Sequence, residues 1–209
     1  MRKSAAYEQN IFINCPFDPA YTPLFNAIVF TIHALGWRAR CSLEADNAAA
    51  NRLSEIMNII GDCRFSIHDI SRTTIDPNTD LPRFNMPLEL GVDLGCRQFG
   101  KRFQQEKICL ILDSDRYRYR NFISDIAGQD IRSHRDQPEE AIKQIRNWLA
   151  THAGEKPLSG PGHLIRVYKE FQIDLPKILA VVNVTAVEAE FVDYQWAIVQ
   201  WLKQYQRST

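Results

Sequence analysis

Net charge is what this chain lacks first: across 209 residues, 25 basic and 25 acidic side chains cancel, for a pI near 7.0. A balanced chain projects no global field toward nucleic acid or an anionic membrane, so any partner has to be recognised locally. No uninterrupted apolar run approaches membrane-spanning length, and residues 1–10 contain no apolar core segment of the signal-peptide kind. The expectation is a soluble, cytoplasmic protein with no membrane partner and no indicated nucleic acid. Cysteine pairing is missing too. The five cysteines, Cys15, Cys41, Cys63, Cys96 and Cys109, are odd in number and scattered, without a C-x-x-C pair or zinc spacing. They read as small buried hydrophobes, and no metal site is expected; a nucleophilic Cys15, at the end of a predicted strand, stays open. The chain also has no Walker loop, G-x-G-x-x-G, H-E-x-x-H or G-x-S-x-G motif, which removes the usual support for P-loop ATPase, Rossmann dehydrogenase, zincin and serine hydrolase readings.

What is present is a 45% hydrophobic chain, long enough for one well-buried domain with a helical appendage. Short apolar runs at residues 11–15, 38–43, 65–70, 107–113 and 130–134 read as strands, the fourth as a central one because it is continuously apolar until Asp113. Between them, residues 23–36, 46–60 and 138–149 read as helices, and a further helix starts near Met86 or Pro87. Residues 71–82 are polar and turn-rich and predict no regular element. Alternating strands and helices imply an α/β domain with a mostly parallel sheet covered on both faces. Two prolines and three glycines between residues 151 and 162 mark a boundary, dividing the chain into 1–150 and a C-terminal extension over 151–209. That extension reads as aromatic-rich helices, packed on the core or used in assembly with a second subunit or partner chain.

The most informative segment is Leu81-Pro-Arg-Phe-Asn-Met-Pro-Leu-Glu-Leu-Gly-Val-Asp-Leu-Gly95, which sets one carboxylate, Glu89, near the start of a glycine-spaced, apolar helix. The helix follows a strand ending in His68-Asp69, so Glu89 is expected where an α/β sheet presents residues to ligands, outside the carboxyl ends of its strands. Leu88, Leu90, Val92 and Leu94 imply a largely buried helix, in which a charge needs a partner or a purpose. The alternative is that Glu89 faces the positive end of the helix macrodipole from the first turn. Gly91 and Gly95 would permit close approach of another backbone or a ligand, with packing the commoner reason.

Two motifs carry a likeness to one superfamily. Ile11-Phe-Ile-Asn-Cys-Pro-Phe17 resembles the first strand and Pro-Phe turn of nucleoside 2-deoxyribosyltransferases, and Arg83-Phe-Asn-Met-Pro-Leu-Glu-Leu-Gly91 resembles the Asn-x-x-x-Glu-Leu-Gly helix start that those transferases share with TIR-like nucleotide-binding proteins. The resemblance spans residues 11–149 in element order and implies a flavodoxin-like three-layer fold. It also implies that Glu89 works on an N-glycosidic bond, where an anion stabilises or traps the oxocarbenium character that develops on the sugar. By the same likeness Asp69 is a catalytic-site acid contacting the nucleoside, and Cys15, Pro16, Phe17, Arg83 and Asn85 are candidate substrate-binding residues; Asp113, at the end of the strongest strand, and Asp125, in a turn-like segment, join them by position. The chain departs from the transferase pattern: Asp80-Leu-Pro-Arg-Phe stands where transferases carry a Ser or Asp-Gly-Thr cluster. The reading is therefore an NAD glycohydrolase-type enzyme in a bacterial defence or signalling setting, with NAD or another nucleotide as substrate, no cofactor, and homo-oligomerisation. A non-catalytic nucleotide sensor and a nucleoside (mono)phosphate hydrolase or deoxyribosyltransferase are the alternatives.

Lesser candidates have structural readings beside the functional ones. His68 and Asp69 are neighbours in a strand and point to opposite faces, so Asp69 is favoured and His68 is read as structural. Asp113 and Asp115 end the strongest strand, which a carboxylate often does without a further role. The segment from Ser124 to His134 is turn-like and includes Asp125 as a pocket candidate. Arg116-Tyr-Arg-Tyr-Arg120 interleaves cations with aromatics in a way that suits single-stranded nucleic acid, and more often forms an exposed loop.

Overall fold

The computed structural model describes residues 4–73, 75, 76, 80–154 and 157–208. A short helix unforeseen from the sequence, α1 (Ala5–Gln9), begins at Ser4, whose hydroxyl accepts from the Tyr7 amide. It leads into β1 (Asn10–Asn14). Next, α2 (Thr22–Ala34) starts with a proline in its first turn and ends at Gly36, whose φ of 90° lies in the left-handed region that glycine enters without strain. β2 (Arg38–Cys41) runs into a single 3-10 turn over Ser42–Glu44. The predicted helix over 46–60 is shorter in the structure. α3 (Arg52–Gly61) begins where the Asn51 side chain caps the Ser54 amide, and Asn47 turns the chain ahead of it by accepting from Ala49.

β3 (Phe65–Asp69) is followed by β4 (Ile75–Asp76) and β5 (Leu81–Pro82), a two-residue antiparallel pair within the stretch expected to lack regular structure. Thr74, Pro77, Asn78 and Thr79 of that stretch lie outside the described residues. α4 (Asn85–Phe99) carries Glu89, and β6 (Ile108–Asp113) and β7 (Ile131–Ser133) complete the strands. α5 (Pro138–Ala150), α6 (Pro161–Ala180) and α7 (Phe191–Ser208) close the chain.

Five strands form one sheet in the order β2-β1-β3-β6-β7, every neighbouring pair parallel. This is the flavodoxin-like order, in which the chain reverses direction across the sheet between β1 and β3. The side-chain period of two sorts each strand onto two faces. Ile11 and Ile13 of β1, Phe65 and Ile67 of β3 and Leu110 and Leu112 of β6 join α2 and α5 in the main core. Phe12 faces the other way, among Ile56, Ile59 and Ile60 of α3, while Ile111 packs with Leu90 of α4.

The C-terminal helices add a further layer on the α2 side and share its core. Phe171 stacks on Phe30 at 5.1 Å, and the Tyr194 hydroxyl donates to the Asn26 carbonyl. No helix among the described residues is long and apolar enough to cross a membrane.

Candidate functional site

Helix α4 descends into the protein along one face. Asn85, Glu89 and Asp93 follow each other at i, i+4 and i+8, a spacing that stacks side chains on one side of a helix. The first is exposed, the second half-buried and the third buried. Because the helix begins at Asn85, Glu89 falls in the second turn, past the amides that a capping carboxylate serves. The capping alternative therefore loses its geometry.

The buried end of this face is an ion cluster. Asp93 Oδ2 accepts from Ser66 Oγ at 2.5 Å and lies 3.2 Å from His68 Nε2, while Oδ1 is 3.0 Å from Lys107 Nζ. Burial on its own would raise the Asp93 pKa, but the contacts with His68, Lys107 and Ser66 outweigh it and hold the group well below the usual carboxylate range. Lys107 also donates to the carbonyls of Ile60 and Cys63 at the end of α3, a favourable place for a cation. Asn14 Nδ2 donates to Met86 O at 2.8 Å and meets His68 Nδ1 at 2.9 Å, so Nδ1 acts as acceptor and the ring proton sits on Nε2, toward Asp93. These contacts pin the first turn of α4 to β1 at Met86, and its middle to β3 and to Lys107 just ahead of β6 at Asp93, on either side of Glu89.

Glu89 itself makes no hydrogen bond or ion pair among the described residues. Burial raises its pKa from 4.5 to about 7, with Arg52 at the start of α3 pulling weakly the other way. A carboxyl group of this kind is desolvated, uncommitted and divided between its acid and its base near neutrality.

Asp69 is treated differently. It is fully buried, on the α2 side of β3, where Oδ2 accepts from the Tyr21 hydroxyl at 2.6 Å and stands 2.9 Å from His134 Nε2, and Oδ1 accepts from the Ser71 amide at 2.8 Å. Burial works to raise its pKa, and the His134, Ser71 and Tyr21 contacts reverse the sign and lower it. The His134 contact has the separation of an ion pair without the alignment of a straight hydrogen bond. His134 Nδ1 in turn accepts from the Asp136 amide. Asp69 is thus bonded to protein at both oxygens, and its partners Tyr21 and His134 are themselves fully buried.

The other candidates divide into two groups. Arg83 and Asn85 are exposed just before and at the start of α4, Asn85 one turn ahead of Glu89. Cys15 lies at the end of β1 but is buried; burial pushes its thiol pKa well up and the Asp69 and Glu89 charges push the same way, so the nucleophile option falls. Pro16 and Phe17 line a hollow of about 200 Å³ that opens toward Phe25, Leu175 and Tyr194, and Glu89 is outside it. Asp113 is buried and held by Arg118 Nε at 2.8 Å and the Ser114 amide at 2.7 Å. Asp125 is exposed on a 3-10 turn over Ser124–Ile126. Two expectations for α4 are corrected. The helix is not largely buried, since Leu88 is 54% exposed, and Gly91 and Gly95 have no atom within 4 Å of where a Cβ would stand, so neither serves close packing.

Among the described residues, one cluster brings together side chains of the kind that hold a metal. His68, Asp93 and Cys109 bring donor atoms within 4.8 Å of one another. Both Asp93 oxygens already face Ser66, His68 or Lys107, and burial lifts the Cys109 thiol to about 12, far from the thiolate a metal needs. The donor set therefore reads as a closed structural network.

Sequence reasoning missed Asn14, Tyr21, Ser66, Asp93 and Lys107, and read His68 as structural without finding its partners. Two signals were available: Asp93 sits four residues after Glu89 on one helical face, and Ser66 shares a strand face with His68. Fold and site together define a flavodoxin-like α/β protein with an uncommitted carboxylate beside the carboxyl end of its first strand. No protein-family model matches the chain, and no curated protein matches it.

Proposed function

We propose that this protein is an N-glycosidase acting on a nucleotide, with NAD as the favoured substrate. The observation that carries the reading is Glu89: half-buried, without a bonded partner among the described residues, and raised to about 7. Cleavage of a nicotinamide–ribose bond develops positive charge on the sugar, and an adjacent desolvated carboxylate stabilises that charge far better than one in water. Nicotinamide leaves as a neutral base, so no strong acid is required. In this reading Asn85 engages a ribose hydroxyl and Arg83 a phosphate, both from the exposed start of α4. Asp69 acts as a positioning residue through Tyr21, and Asp113 through Arg118. Assembly through the C-terminal helices belongs to the proposal as well, supported by the exposed apolar side chains Ile173, Val181 and Val192.

The ionised form of Glu89 is the active one, so kcat/KM for NAD rises with pH through an apparent pKa near 7 and is lower at pH 5 than at pH 8. The test is nicotinamide release from NAD by the purified full chain, assayed as monomer and as any higher assembly it forms. Turnover that disappears in Glu89→Gln is the expected result. Turnover that survives Glu89→Gln, or an intact NAD pool in every assembly state, sinks the proposal.

A further inference from the structure

At the opposite end of the sheet, beyond β7, lies a polar cavity of about 540 Å³. This is the size of a small-molecule site. Three arginines line it, Arg116, Arg132 and Arg135, together with the carboxylates of Asp115, Asp130 and Glu140. The charges do not simply cancel in pairs. Arg132 is 3.8 Å from Asp130 and also donates to the Gln144 carbonyl, and Glu140 is engaged by Lys143 at 3.0 Å. Among the described residues Arg116 and Arg135 have no carboxylate partner, and Asp115 has no cation partner. Two guanidinium groups without a carboxylate partner and one carboxylate without a cation partner therefore line the same hollow.

The rim holds its shape. Tyr117, Arg135 and Asp136 have φ values of 71°, 54° and 54°, in the left-handed region that side chains other than glycine rarely occupy. The Arg135 turn is fixed by the His134 amide donating to the Asp113 carbonyl, the Arg135 amide donating to the Ser114 carbonyl and the Asp136 amide donating to His134 Nδ1. On the other side, Arg116 lies over the Tyr117 ring at 5.1 Å, with Arg120 over it at 4.7 Å. The arginines are thus carried on braced turns. A site organised before binding loses less entropy on taking a ligand.

The geometry points to a second binding site here, for a nucleoside phosphate: Arg116 and Arg135 take the phosphate, and Asp115 accepts from a sugar hydroxyl. Guanidinium groups match phosphate oxygens in both charge and donor geometry, and Asp115, the lining carboxylate without a cation partner among the described residues, suits a hydroxyl donor. The cavity lies at the β7 edge of the sheet, and Glu89, Arg83 and Asn85 are not among the residues that line it.

Calorimetric titration of the full chain with AMP at low salt tests it, with adenosine, inorganic phosphate and a short single-stranded oligonucleotide as parallel arms. The expected result is saturable AMP binding, weaker binding of phosphate and none of adenosine, with affinity for AMP falling at least about tenfold in the Arg116→Gln, Arg135→Gln double variant. Affinity for AMP is expected to be unchanged in Glu89→Gln, which separates this site from the one on α4. The inference is overturned by adenosine or phosphate binding as tightly as AMP, by an unchanged affinity in the double variant, by loss of binding in Glu89→Gln, or by an oligonucleotide that outcompetes AMP. Absence of any saturable AMP binding overturns it as well.

Discussion

Asp69 and Glu89 both stand near the carboxyl ends of β1 and β3, yet Asp69 is fully buried with both oxygens bonded, whereas Glu89 is half-buried with neither oxygen held by a described residue. Their pKa values move in opposite directions as a result, Asp69 down and Glu89 up to about 7. Burial raises both. What differs is the number of donors turned toward each carboxylate: Tyr21, His134 and the Ser71 amide for one, and for the other only the charge of Arg52, without a hydrogen bond. Depth alone does not make a reactive carboxyl; a desolvated one left without donors is the candidate reagent.

The comparison breaks most severely at Asp93, on which the placing of Glu89 depends. Asp93→Ala leaves Lys107 buried without its counter-ion, and the unfolding free energy by urea denaturation is expected to fall by about 4 kcal/mol. A loss below about 1 kcal/mol would show that the network does not anchor α4. Asp69→Asn removes the charge that faces His134 and reverses part of the donor pattern, with an expected loss of about 3 kcal/mol in the same measurement.

Glu89→Gln sharpens the contrast because its sign is opposite. A group whose folded pKa is raised from 4.5 to about 7 contributes stability below pH 4.5 and loses that contribution as pH climbs through 7. At pH 8 the variant is expected to be more stable than the parent by on the order of 2 kcal/mol, with a much smaller difference at pH 5. Thermal melts at the two pH values check this, and a variant less stable at pH 8 contradicts it. The smallest effect is expected for Tyr21→Phe, which deletes one of the donors to Asp69 and costs about 1 kcal/mol.

Much of the architecture was legible because buried parallel strands write themselves as apolar runs. Residues 107–113 and 11–15 gave β6 and β1 within a residue or two. The five-residue α1 was not, since a helix that short carries no periodicity to detect. Glu89 could be picked out by its place in the Asn-x-x-x-Glu-Leu-Gly segment, but its surroundings could not. An aspartate four residues further along a helix reads as solvent-facing, and a lysine at the start of a strand reads as an edge. Only the fold reveals that Asp93 and Lys107 meet at 3.0 Å in the interior. Tyr21 and Asp69 are 48 positions apart, and nothing local to either sequence position announces the bond between them. Leu88 misled in the other direction, since an apolar residue beside Glu89 turned out to be 54% exposed.

A carbon-13 NMR titration of the Glu89 side-chain carboxyl in the folded chain, with Glu89→Gln used to assign the resonance, decides whether this group is set apart from an ordinary carboxylate. The expected midpoint is near 7, whether or not the protein turns over NAD. A midpoint near 4.5 would mean that water or a protein donor reaches the group, and Glu89 would then be an ordinary surface carboxylate.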